Sequence, residues 1–127
     1  MPEEMETVRV DIEIENPGRP GERRTLKSVL VDTDAPLSWV PADALESIGI
    51  ERYDQRFFLR ANGTVIERWV GAASIYVNGK RTSDDIVFGE AGDLVLLGWR
   101  TLEGLNFRVD RVTKQLVDAG PAPAAVA

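Results

Sequence analysis

LVDTDAPLSW, residues 30–39, decides how this chain is read. Leu30 and Val31 close an aliphatic run of the kind an interior strand supplies, and the chain then meets Asp32, Thr33 and Asp34 before Ala35. A carboxylate placed directly after an interior strand is costly unless it is hydrogen-bonded or paired. The residues alone leave two readings open. Asp32 caps a turn through its own backbone, as Asp does at many strand ends, or it is held at that strand end for chemistry.

Working outward, residues 26–31 read as a strand. Upstream, Val8, Val10, Ile12 and Ile14 alternate with Arg9, Asp11, Glu13 and Glu15, a period of two that predicts a half-buried strand with its charges in water. NPGRPG, residues 16–21, separates the two strands with strong turn formers. Downstream, residues 37–40 predict a short strand. Pro41 then opens a helix over residues 42–48 that Gly49 stops. Residues 56–60 and 64–70 flank Asn62-Gly63, and residues 73–77 and 82–88 flank Asn78-Gly79; Asn-Gly is the strongest short hairpin signal. An apolar run, residues 94–97, ends at Gly98 and leads to a second short helix over residues 100–105. Two last strands, around Phe107 and Val109 and around Leu116 and Val117, enclose a turn at residues 110–114. LESIGI (45–50) and LEGLNF (102–107) echo each other and hint at two related halves.

Short strands closed by hairpins, with two brief helices, predict a mainly β chain folded as a small closed β-barrel. At 127 residues the chain has the size of one domain. That domain is expected over residues 1–117, with residues 118–127, DAGPAPAAVA, as a flexible C-terminal tail.

Composition narrows the chemistry. With neither Cys nor His, the chain has no thiol nucleophile, no disulfide, no imidazole base, and no zinc site built on those ligands. Carboxylates, hydroxyls, Lys and Tyr remain. The net charge of −6 argues against a nucleic-acid partner, and no apolar run is long enough to span a membrane. The opening MPEEMETVRV is acidic and lacks the apolar core of a secretory signal, so a cytoplasmic location is expected.

Val31, Asp32, Thr33, Ala35, Ser38 and Pro41 form a Val-Asp-Thr-x-Ala-x-x-Ser-x-x-Pro motif. It resembles the active-site loop of the retropepsin-like aspartic proteases, the retroviral enzyme and its single-domain bacterial relatives. Two further landmarks follow in the family's order: the Asn62-Gly63 hairpin where the family has its flap, and Leu96-Leu97-Gly98 before the closing helix. The resemblance implies an aspartic endopeptidase without metal or other cofactor. Two carboxylates would share a proton, one activating water and the other polarising the scissile carbonyl. A chain with a single Asp-Thr-x-Ala segment would need a homodimer to bring two Asp32 side chains together. Thr33 would then brace the partner's loop. The flap at Asn62 and Gly63 would close over an extended polypeptide substrate held partly by backbone pairing.

Asp34 stands where the family has Gly. Like charges at ~5 Å and an effective dielectric near 20 cost about 3 kcal/mol, so an extra carboxylate per chain would loosen the dimer or hold protons to higher pH. Three readings follow: an active peptidase with an unusual loop, a catalytically impaired module of the same fold that binds peptides or dimerises, and an Asp32/Asp34 pair holding a hard cation with ligands from a second chain. Trp39 reads as packing, while Trp69 and Trp99 are candidate substrate contacts. Glu3, Glu4, Asp84 and Asp85 read as solvated charges. Ser38 reads equally as a support of the loop or as an ordinary strand serine.

Overall fold

The computed structural model describes residues 7–126. Glu3 and Glu4, with the rest of residues 1–6, and Ala127 lie outside the described residues. The described chain is mainly β: β1 (Arg9–Glu15), β2 (Arg23–Val31), β3 (Ser38–Pro41), β4 (Asp54–Leu59), β5 (Val65–Val77), β6 (Lys80–Gly89), β7 (Leu96–Leu97), β8 (Phe107–Asp110) and β9 (Gln115–Asp118). Two one-turn-and-a-half helices interrupt the strands, α1 (Ala42–Ser47) after β3 and α2 (Trp99–Gly104) after β7. None of the described helices is long and apolar enough to cross a membrane.

Seven strands form one sheet in the order β1-β2-β7-β3-β6-β5-β4, and β1 also pairs with β5. The pairings therefore return on themselves as a six-strand ring, with β4 attached outside it. β8 and β9 form a separate hairpin. Inside the ring lie Ile12, Ile14, Leu45, Ile75, Phe88 and Leu97, all essentially inaccessible to solvent. At about 25 cal/mol per Å² of apolar surface, burial of this set is the main force closing the ring.

The two related halves appear in the topology. β2, a loop, β3 and α1 repeat as β6, a loop, β7 and α2. β2 runs parallel to β7, β3 runs parallel to β6, and β3 meets β7 antiparallel through Trp39 and Leu96. Each half thus lends its first strand to the second strand of the other. The loop carrying Asp32 falls at the centre of this exchange.

Three local expectations change. The predicted pair of strands at 64–70 and 73–77 is one continuous strand, β5, that passes straight through Gly71. A β-carbon there would lie 2.7 Å from the Glu51 carbonyl oxygen and 2.8 Å from the Phe88 ring, so this glycine serves close packing and not a turn. Pro41 ends β3 and precedes the helix, which begins at Ala42. Glu15, expected in water, is only 5% exposed. The 16–21 turn wraps over it, so that the Gly21 N–H and the Tyr76 hydroxyl each donate to its carboxylate at 2.7 Å, with Arg23 at 3.7 Å. Those donors, Gly21 first, hold the Glu15 carboxyl below the ordinary carboxylate range.

Candidate functional site

Residues 32–37 connect β2 to β3. β2 ends beside β7, and the Asp32 N–H extends that pairing by donating to the Leu97 carbonyl at 2.9 Å. One carboxylate oxygen of Asp32, Oδ1, accepts the Asp34 N–H at 2.9 Å. The turn-capping reading of Asp32 is thus realised, and it occupies only Oδ1. Asp32 is half-buried, whereas Thr33 and Asp34 are exposed.

The far side of the loop is clamped to the start of α2. The Trp99 N–H donates to Ala35 O at 2.8 Å and the Arg100 N–H to Pro36 O at 3.2 Å. Gly98, between β7 and α2, lies against the Leu37 and Ala35 backbone. Ala35 therefore supports the loop through its carbonyl. The aliphatic-aliphatic-Gly segment at 96–98 is the surface on which the Asp32 loop rests.

Below the loop runs a buried polar chain. The Gly98 N–H donates to Ser38 Oγ at 2.9 Å, Ser38 Oγ lies 2.7 Å from Thr101 Oγ1, and Thr101 Oγ1 donates to Asp84 Oδ2 at 3.1 Å. A carboxylate only accepts, so the Thr101 proton points to Asp84 and the Ser38 proton points to Thr101. Arg100 completes the chain with an ion pair to Asp84 at 3.1 Å. Ser38 is therefore a support of the loop. The expectation that Asp84 and Asp85 are solvated fails for Asp84, whereas Asp85 stays partly exposed. The Asp84 side chain is 6% exposed, and Asp85 accepts the Tyr53 hydroxyl at 2.7 Å with Arg56 nearby. Adjacent aspartates look like surface charges in a sequence, and nothing in the residues around them marks Asp84 as the partner of Thr101.

The β4–β5 hairpin packs onto the same region. Trp39 meets Phe58 edge-on with ring centroids 4.9 Å apart, and both join a small apolar cluster with Leu37, Val70 and Val87. Trp39 thus packs, as expected. Asn62 and Gly63 form the exposed tip, where Asn62 Oδ1 accepts both the N–H and the hydroxyl of Thr64. Trp69 and Trp99 are each partly exposed. Among the described residues no three acidic side chains come together to hold a metal ion, so none of them adds a third carboxylate to Asp32 and Asp34.

No family model matches this chain, and no curated protein matches it.

Proposed function

We propose that this chain is one half of a homodimeric aspartic peptidase of the retropepsin type, its strand ring being the family's small barrel, working on extended polypeptides in the cytoplasm. The observation that carries this reading is the hydrogen bond from the Asp32 N–H to Leu97 O. It joins the Asp-Thr-x-Ala loop to the aliphatic-aliphatic-Gly segment, two landmarks far apart in sequence that the resemblance requires to be neighbours. Two Asp32 carboxylates brought together at a twofold axis would share one proton. The ionised one would take a proton from water as it attacks the scissile carbonyl, and the protonated one would donate to the carbonyl oxygen. The rigid clamp of residues 35–38 on α2 supports this by holding each carboxylate against displacement.

The test is cleavage of an unfolded protein at mildly acidic pH. Asp32→Asn lowers the rate on the order of 10²–10⁴-fold, the usual span of a general acid–base contribution, while the dimer persists by sedimentation. Unchanged cleavage in that variant overturns the proposal.

A second reading, an impaired module that binds peptides or dimerises, is favoured by Asp34 itself. Its carboxylate is exposed two residues from Asp32, where the family has no side chain. Asp34→Gly separates the two readings. Cleavage that appears only in this variant assigns the natural chain to the impaired module, and peptide binding without cleavage in both assigns it to a binding role.

A further inference from the structure

Among the described residues β4 is the free edge of the seven-stranded sheet, paired with β5 on one side only. The hairpin ladder tells which groups point outward. The Arg60 N–H donates inward to Thr64 O, and antiparallel alternation then turns Phe58 and Arg56 inward as well. The N–H and C=O groups of Gln55, Phe57 and Leu59 face away from β5. Such a row is a template for another strand, and natural edges are guarded by charged side chains, Pro or bulges. DQRFFL has no Pro or Lys, and its two charges, Asp54 and Arg56, pair with each other at 3.0 Å. Instead Phe57 is 72% and Leu59 75% exposed. Register pairs Leu59 with Val65, Phe57 with Glu67 and Gln55 with Trp69, so Val65, 61% exposed, and Trp69 extend the same apolar face.

We propose that the β4 edge binds a second copy of this chain, antiparallel about a twofold axis through Phe57. Charge selects both the occupant and the register. With Phe57 facing Phe57 of the second copy, Gln55 faces Leu59, and Asp54 faces Arg60 twice, once on each side of the axis. Outward groups must meet outward groups, so the nearest competing registers are shifted by two residues. One shift sets Arg56 against Arg56 and the other sets Arg56 against Arg60; both oppose like charges. The Phe57 register joins the exposed apolar faces of two hairpins into one stripe. It uses none of residues 32–35 and stands whether or not Asp32 catalyses.

Sedimentation velocity of the full chain across a concentration series tests this contact. Asp54→Arg and Arg60→Asp each reverse the cross-strand charges and raise the dissociation constant of one association step on the order of tenfold. An equimolar mixture of these two variants recovers the step, because each presents to the other the charge it lacks in itself. Phe57→Lys, at an exposed position, loses the step alone and is not rescued by either charge variant. The step is read as a doubling of mass over the charge variants, whatever association through the Asp32 loops adds to all of them. The proposal is overturned if the natural chain sediments like Phe57→Lys, or if the mixture stays as dissociated as its components. An edge that takes up a foreign extended peptide while the natural chain and the variants sediment alike also overturns it.

Discussion

A β-carbon on Gly98 would sit 2.6 Å from both the carbonyl carbon and oxygen of Leu37 and 2.8 Å from the Ala35 oxygen. All three are backbone atoms of the loop that carries Asp32, and none can swing aside as a side-chain end would. Gly98→Ala is therefore expected to cost roughly 2 kcal/mol or more, at the upper side of overpacking effects, read as a lower urea midpoint at unchanged slope. The buried hydroxyl chain gives a paired prediction. Thr101→Val keeps shape but removes the group that donates to Asp84 and accepts from Ser38, leaving both short of a partner, with an expected loss of about 2 kcal/mol. Thr101→Ser restores the donor and recovers most of that loss. Equal losses in the two variants would mean that the methyl group's packing matters and the proton chain does not. The Asp32 loop was legible in its residue types. Its floor was not, because Ser38, Asp84 and Thr101 lie far apart in sequence and each is ordinary alone.

The two loops of the repeated halves are fixed by different elements. Residues 32–37 are clamped by α2, and the matching loop after β6 is fixed by Arg68 of β5. Arg68 grips Asp93 with two hydrogen bonds, Nε to Oδ2 at 2.7 Å and an Nη to Oδ1 at 2.9 Å, both side chains being nearly buried. The Glu90 N–H adds a third donor. Arg68 first, then burial in the opposite sense and the Glu90 N–H, leave the Asp93 carboxyl below its ordinary range. Asp93→Asn breaks this fork and is expected to cost about 2 kcal/mol near neutrality. A carboxyl depressed in the folded state stabilises fully above its unfolded value of about 4 and less as pH falls through the folded value. The difference between the natural chain and Asp93→Asn should therefore shrink below about pH 4, measured as paired urea midpoints. Elements of this kind divide by their legibility. The Asn78-Gly79 hairpin could be read because both residues take positive φ, 48° and 81°, which few other pairs tolerate. The continuity of β5 could not, because Gly71 signals a break locally and its packing against Glu51 and Phe88 is tertiary. The closing of β1 onto β5 through residues 13–15 and 74–76 is tertiary as well.

Across the molecule, acid acts on several such carboxylates together. Glu15 under the 16–21 turn, Asp93 on Arg68, Asp110 in the β8–β9 turn and Asp118 at the end of β9 are all held below the ordinary range, chiefly by hydrogen bonds they accept. They tie the entry turn, the 90–95 loop and the C-terminal hairpin to the ring, so they share one sign: each favours the folded chain above the unfolded value and is lost as pH falls through the folded one. The net charge of −6 works the other way over a limited range, since mild acid relieves self-repulsion before these carboxylates take protons. Stability should thus be level or slightly rising from pH 7 to about 5 and should fall steeply below about pH 4. If the chain is the acid-favouring peptidase proposed above, two processes shape its pH profile, and they can be told apart. The acid limb of cleavage should coincide with loss of the far-ultraviolet dichroism of the strands, and Asp93→Asn should move both to higher pH together. The neutral limb should leave the dichroism unchanged. An acid limb that falls while the strands remain intact would place its origin in the Asp32 loop and not in the unfolding of the ring.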